Sequence, residues 1–314
     1  MIQIYGAGIS GTYLHTLLEN SGIDVHIYDV RREPDCRCGW AINYKEAKKL
    51  YKEIGINIDD YVTAKPENIV VNKIWLKNKN IVTFNKKKLL EDFWRNLKFN
   101  FGEGRIIIDA TGTSRAKLPP IKNDRLLPTY QTLEVHRGID TNFFIHFGGS
   151  GYAWAFPISE NLWHIGAGDI DPRKIHKHIL MLRREYGFDE DEVKCMCRAK
   201  IRMMRPTKCL PFIYNNTIGA GEAIGCVSGA GEGNVPSLIS AKILFECINQ
   251  NNLSDYEKRI IGELSWVENE QKFVDYFLNN RKIAAIKLLP KIVSHESKRS
   301  VEHTLKTIMR ILRL

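Results

Sequence analysis

Ile2-Gln3-Ile4-Tyr5-Gly6-Ala7-Gly8-Ile9-Ser10-Gly11 opens the chain, and these ten residues decide how the rest is read. Ile2 and Ile4 alternate as in a strand, and a G-x-G-x-x-G run follows at once. Leu14, Leu17 and Leu18 then recur at helical spacing, and Ile23–Tyr28 returns as a second strand ending in Asp29. Strand, glycine run, helix, strand and acid occur in the order that a dinucleotide-binding unit requires. Gly6 allows the tight turn, Gly8 lets backbone approach a pyrophosphate, and Gly11 lets helix and strand pack closely. The helix N-terminus offers free N–H groups and a positive dipole end to phosphate. Asp29 can accept hydrogen bonds from ribose hydroxyls. The motif alone does not separate NAD from FAD.

Working outward, two later segments read as returns to the same sheet. Arg105–Thr111 is a buried-type strand, Ile106-Ile107-Ile108-Asp109-Ala110, ending at Gly112. Thr217–Ala223 is a shorter one, leading through Gly225 and the loop Ser228–Asn234 into a helix near residues 235–249, with Pro236 in its first turn. Gly219-Ala220-Gly221 could open a second, NADP-type fingerprint, but no acid-tipped strand follows it. A plain NAD domain is complete within about 150 contiguous residues. A cofactor domain assembled from separated pieces is the habit of FAD enzymes.

Between the pieces lie Asn68–Leu76, Ile81–Phe84, Tyr130–His136, Asn142–Phe147 and Trp154–Gly166, which alternate, carry aromatics and are broken by turn residues. They predict an antiparallel sheet in a second, substrate-binding domain. A helix is expected over Lys86–Leu97, and residues 254–314 are helical in period with a break near Pro290. The fold class expected is therefore α/β: a discontinuous Rossmann-like FAD-binding domain (1–60, 98–128 and 214–250), an antiparallel-sheet substrate domain (61–97 and 129–213) and a C-terminal helical region (251–314).

Composition bounds the rest. In 314 residues, 44% are hydrophobic and 26% charged, which excludes a disordered or collagen-like chain. No apolar run is long enough for a transmembrane helix and no signal peptide is recognisable, and seven cysteines do not form a secreted disulfide framework, so a cytoplasmic protein is expected. Cys36-Arg37-Cys38 and Cys195-Met196-Cys197 are C-x-C pairs, whereas zinc sites use C-x2–4-C spacing, so no metal is assigned. None of the nine histidines pairs with a Ser or Cys motif in a hydrolase pattern. The net charge of +10 favours anionic partners. Over Arg281–Leu314 it gathers as Lys and Arg flanking two apolar stripes, Ile283, Ile286, Leu289, Ile292 and Val293, then Leu305, Ile308, Met309 and Leu312. Such a pattern suits either a helix packed on the protein or one lying on an anionic membrane surface. Nucleic acid is not expected as a partner.

The chain resembles the geranylgeranyl reductase family of FAD-dependent oxidoreductases, known from archaeal membrane-lipid synthesis. The N-terminal fingerprint ending in Asp29 carries part of the likeness, and Cys38-Gly39 after the second strand carries more. Tyr152-Ala153-Trp154-Ala155-Phe156-Pro157, eight residues before Gly166-Ala167-Gly168, matches the family's Y-x-W-x-F-P…G-x-G signature. Gly221-Glu222-Ala223 and Gly231-Glu232-Gly233 match its late flavin-contacting segment. The resemblance implies FAD as cofactor, lined by Gly6, Gly8, Ser10, Gly11, Asp29, Arg31, Cys38, Gly39, Ala41, Ala110, Gly112, Gly221, Glu222, Gly233 and Asn234. It implies an isoprenoid channel lined by Tyr152, Trp154, Phe156 and Pro157. Aromatic rings at alternate strand positions share one face, which agrees with that channel.

The activity implied is reduction of carbon–carbon double bonds in isoprenoid lipid chains, fed by an external electron donor. Cys38 is the candidate catalytic proton donor by resemblance alone. Departures from the family are Glu222 where Asp is usual, Lys86 or Lys87 where Arg is usual, and a shortened chain. Two alternatives stay open: a flavin monooxygenase or halogenase of the same fold, and a flavin- or lipid-binding protein without turnover.

Overall fold

The computed structural model describes residues 1–34, 39–102, 104–189 and 192–312, residue 312 by its backbone only. Among them, the first strand, Ile2–Tyr5, lies between Val25–Tyr28 and Ile106–Asp109, parallel to both. Thr217–Gly219 extends the sheet in parallel and Ile213–Tyr214 closes it antiparallel. Three pieces distant in sequence thus make one five-stranded nucleotide sheet. The helices Ile9–Asn20 and Asn234–Asn249 pack together beside it. Ile4, Leu14, Ile27, Ile108, Leu238 and Leu244 are fully buried between these layers, each contributing about 1.5–3 kcal/mol by leaving water.

The second half is an eight-stranded sheet in the order Val193–Arg202, Leu126–Val135, Leu162–Asp169, Gly151–Pro157, Phe143–Gly148, Asn68–Val71, Ile74–Asn78, Val301–Glu302. It is antiparallel except where Asn68–Val71 runs parallel to Phe143–Gly148. Its back face carries Ala153, Ala155, Trp163 and Ile165 and is covered by the helix Ile175–Tyr186. Its front face turns towards the nucleotide half.

Several expected stretches are divided by the structure. Asn68–Leu76 is a hairpin, because Asn72 and Lys73 both take positive φ, the geometry of a tight two-residue turn. Trp154–Gly166 is likewise two paired strands. Ile81–Phe84 leaves the large sheet for a small one with Ala41–Asn43 and Val62–Ala64. Val82, Phe84, Leu89, Leu90 and Phe93 then share the core of the nucleotide sheet, although the expected division assigns 61–97 to the substrate half. The strand Val193–Arg202 is absent from the expected set because its polar outer edge masks the alternation. The helical run breaks near Pro290 as expected: the helix Lys282–Ile286 ends, and a new one, Leu289–Arg299, starts with Pro290 in its first turn. The C-terminal region also contributes a short strand, Val301–Glu302, before the last helix, Leu305–Leu312.

Candidate functional site

The two halves enclose a cavity of about 1150 Å³. Its nucleotide arm begins at Gly6, Gly8 and Ser10. A Cβ on Gly6 would lie 2.3 Å from the Ala110 carbonyl oxygen, and one on Gly11 would lie 1.9 Å from the Gly6 carbonyl oxygen. Both are close-packing glycines. Gly8 differs: among the described residues, its own helix and chain neighbours aside, a Cβ there would meet nothing within 4 Å. The helix that follows has no side-chain N-cap and no acid in its first turn, so its free N–H groups open on the space beside Gly8. The helix Asn234–Asn249, entered through Gly233, also lacks a side-chain cap. Its Asn234 Nδ2 donates to the Ala41 carbonyl at 3.1 Å, which joins that helix start to the small sheet. An open cradle between two uncapped helix starts fits a dinucleotide.

Asp29 ends the second strand as expected, but its oxygens are already engaged. Oδ2 accepts from the Ala7 amide at 2.7 Å and from Arg31 Nη2 at 2.7 Å, and Oδ1 accepts from Arg31 N and Nε at 2.9 Å. Burial alone would raise this carboxyl, but the Arg31 and Ala7 hydrogen bonds hold it below the usual carboxylate range. A ribose hydroxyl must therefore compete with Arg31, whose guanidinium lies 5.6 Å from the centre of the Trp94 ring. Trp94 Nε1 donates to the Ala7 carbonyl at 2.9 Å, so the helix Lys86–Asn96 braces the glycine loop.

The turn after Ile106–Asp109 is built by Asp109. This buried carboxylate accepts from Thr111 N and Oγ1, Lys117 N and Leu118 N at 2.6–3.1 Å, which directs Ala110 and Gly112 to the cavity. Glu222 Oε1 accepts from the Arg202 amide at 2.7 Å. Burial pushes its carboxyl up, against the pull of Arg202 and Lys86. Of the two lysines left open by the sequence, Lys86 lines the cavity, while Lys87 faces Glu91 at 3.7 Å.

Arg202 is a residue that sequence reading misses. Fully buried, it donates to the Gly112, Thr113 and Glu222 carbonyls at 2.7–3.1 Å and pairs with Asp124 at 2.9 Å. It thereby holds two of the three nucleotide-half segments together. Nothing in its local sequence marks it, because its partners, three backbone carbonyls and the distant Asp124 side chain, are brought together only by the fold.

The second, apolar arm runs along the front face of the large sheet. Tyr152, Trp154 and Phe156 form a continuous tilted stack, with ring centres 5.4 and 6.3 Å apart, flanked by Phe147 and Phe143. The late glycines of the signature explain its spacing. Gly166 pairs with Trp154 across the strands, and a Cβ on Gly166 would lie 2.4 Å from the Trp154 ring. The rings meet nucleotide-half backbone at two further glycines. A Cβ on Gly231 would lie 2.6 Å from the Tyr152 hydroxyl, and one on Gly39 about 3.0 Å from Phe156. The wall is thus wedged against the loops that carry the cofactor-type motifs. Ile69, Val71, Phe143, Ile145, Ile308 and Ile311 continue the apolar lining.

Of the residues expected at the site, Gly6, Gly8, Ser10, Asp29, Arg31, Gly39, Ala41, Ala110, Gly112, Glu222, Gly233, Asn234, Tyr152, Trp154 and Phe156 line this cavity. Three do not. Gly11 lies behind the loop. Gly221 is turned inward at φ +66°, its amide donating to Ser240 Oγ at 2.8 Å. Pro157 is buried with its carbonyl accepting from Thr83 Oγ1 at 2.6 Å. Cys38, expected both as proton donor and beside the cofactor, lies outside the described residues.

The C-terminal stripes are only partly free for a surface. Leu289 and Ile311 are buried, Ile292 and Ile308 line the cavity, and Ile283 is 75% exposed. Among the described residues no helix is long and apolar enough to cross a membrane.

The fold is the one used by FAD-dependent oxidoreductases. A geranylgeranyl bacteriochlorophyll reductase-like protein from Thermoplasma acidophilum matches with a TM-score of 0.74 at 15% identity, covering 99% of this chain and 95% of that one. The flavin-dependent brominase Bmp2 matches at 0.66 and 12% identity, over 99% of this chain and 92% of its own. In sequence, an uncharacterized protein of Methanocaldococcus jannaschii is 27% identical over 94% of this chain and 97% of its length. No protein-family model matches the chain.

Proposed function

We propose that this protein is an FAD-dependent reductase of carbon–carbon double bonds in isoprenoid lipid chains. The observation that carries the reading is the cavity itself: a nucleotide arm with an open cradle at Gly8 continues into a long apolar arm walled by Tyr152, Trp154 and Phe156. A polyprenyl chain is apolar and flat at each double bond, and a ring stack of this kind can hold it by surface contact alone.

Bound FAD would supply hydride chemistry. Gly6, Gly8 and Ser10 with the first helix N-terminus would hold its pyrophosphate, Asp29 its ribose, and Ala110 and Gly112 its middle. The Asn234–Asn249 helix start would place positive dipole against the ring that becomes anionic on reduction. The aromatic wall excludes water from the reacting face. An external donor would refill the cofactor. Contact with an anionic membrane surface is part of the same proposal: Ile283 is exposed among Arg281, Lys282 and Lys287, all on the surface, and an insoluble substrate must be collected from lipid.

One experiment addresses these points. The purified protein is reconstituted with FAD, reduced anaerobically with dithionite, and mixed with vesicles carrying a polyprenyl lipid. Flavin re-oxidation with saturation of the lipid double bond is expected, faster from anionic than from neutral vesicles. Flavin that binds but is re-oxidised only by oxygen, with oxygenated or halogenated product, would transfer the fold to the monooxygenase or halogenase reading. Equal rates from both vesicle types would remove the surface contact.

A further inference from the structure

Four carboxylates and one guanidinium meet where the C-terminal helices close on the cavity. Glu46 comes from the helix Tyr44–Lys52, Glu232 from the loop before Asn234–Asn249, Glu270 from Ser265–Leu278, and Glu296 and Arg299 from Leu289–Arg299. Arg299 is buried over the Trp266 ring at 4.3 Å. It donates to both oxygens of Glu232 at 2.6 and 2.7 Å, donates to Glu46 at 2.6 Å, and lies 3.5 Å from Glu296. Among the described residues Glu270 has no such ion pair; its Oε2 accepts from the Gly229 amide at 3.0 Å and its carboxyl also hydrogen-bonds the Ser228 side chain. Glu232, Glu270 and Glu296 all line the cavity. Ser300, 4% exposed, lines it too and shares a side-chain hydrogen bond with Glu296.

The charge count decides what this cluster does. One guanidinium offsets one carboxylate, so ionising all four would leave three uncompensated charges in a cluster where Glu46 alone is more than a third exposed, which buried groups avoid by keeping protons. The other groups facing it do not supply the missing cations. Burial pushes the His295 and His303 rings towards neutrality, and Lys298 is exposed. Burial drives the Glu270 carboxyl up to about 8, with the charges of Glu296 and Glu232 adding to the shift and Arg299 opposing it. Burial also raises Glu296 and Glu46.

We propose that Glu270 supplies the proton consumed by alkene reduction in this cavity, with Glu296 and Ser300 returning a proton to it from solvent. The proposal rests on the reductase reading. Bound reduced FAD would supply the hydride for one new C–H bond; the π electron pair so released takes the Glu270 proton, directly or across one water, to form the second. The carboxylate left behind is reprotonated, and the external reductant of the cofactor provides the two electrons. The sequence suggests Cys38 for this role by likeness alone; the described cavity wall offers a carboxylic acid.

The test uses the FAD-loaded protein and two readouts. Infrared titration of glutamate-labelled protein should show a carboxylic acid that loses its proton near pH 8 and that is missing in Glu270→Gln. In single turnover with a polyprenyl lipid, Glu270→Gln should slow flavin re-oxidation about 100-fold and abolish the decline as pH rises through about 8. Dithionite reduction and FAD affinity should stay unchanged. Glu296→Gln removes a neighbouring negative charge and should move both the infrared midpoint and the rate decline to lower pH, a displacement that loss of packing would not produce. Absence of the acid band at pH 7, or wild-type rate and pH profile in Glu270→Gln, overturns the assignment. Wild-type flavin that no alkene re-oxidises overturns the reductase reading and this role with it, even where the acid band is present.

Discussion

Gly8 and Gly166 each stand in a G-x-G pattern, yet the space beside them is used in opposite ways. Among the described residues, its own helix and chain neighbours aside, no protein atom lies within 4 Å of where a Gly8 side chain would begin, whereas a Gly166 side chain would begin 2.4 Å from the Trp154 ring. In the nucleotide loop the missing Cβ leaves room for a molecule from outside. In the large sheet it leaves room for the protein's own indole. The same sequence signal therefore marks an open cradle in one half and a packing device for the aromatic wall in the other.

The largest effect should come from filling the open cradle. Gly8 has an extended backbone at φ −82°, which any residue can adopt. Gly8→Val should therefore abolish FAD binding in calorimetric titration while lowering the stability of the cofactor-free protein by no more than about 1 kcal/mol. Early melting of the cofactor-free variant would show that Gly8 packs like Gly166 and erase the contrast.

Filling the other space should act on the fold. Gly166→Ala places a methyl group against Trp154 and 2.7 Å from the Gln131 Cβ, which should cost roughly 1–3 kcal/mol in chemical denaturation. Trp154→Phe in the same chain should recover part of that loss, because the smaller ring vacates the contested volume. Additive losses would mean that the two residues do not share it.

Gly39 lies between the extremes, and its substitution should have the smallest effect. A Cβ there would sit 3.0 Å from Phe156 and 3.1 Å from Trp154 Nε1, so the rings need yield only slightly. Gly39→Ala should change stability by less than about 1 kcal/mol and raise KM for a polyprenyl lipid with FAD affinity unchanged. A fall in FAD affinity instead would place Gly39 with Gly8, on the cradle side.

Local patterns in the sequence carried much of this protein. The glycine run, the acid-tipped second strand and the return at Ile106–Gly112 specify a parallel nucleotide unit, because strand alternation, φ freedom and helix N-terminal dipoles are properties of neighbouring residues. The aromatic triplet was legible for the same reason: a period of two puts Tyr152, Trp154 and Phe156 on one face. Lys86 could not be separated from Lys87, since that choice depends on which face of their helix meets the cavity.

Only the tertiary structure decided the rest. Arg202 joins Gly112 to Glu222 through backbone carbonyls that no spacing rule brings together. The strand Ile81–Phe84 leaves the large sheet because Val82 and Phe84 find their core beside the nucleotide sheet. The apolar face of the last helix turns inward at Ile308 and Ile311, where a hydrophobic stripe alone was equally suited to lipid. The cluster of Glu232, Glu270 and Glu296 around Arg299 was invisible as well, for its carboxylates lie on three separate elements. The raised proton affinity of Glu270 and Glu296 follows from burial and like-charge repulsion, which arise only when the folded chain brings them together away from water.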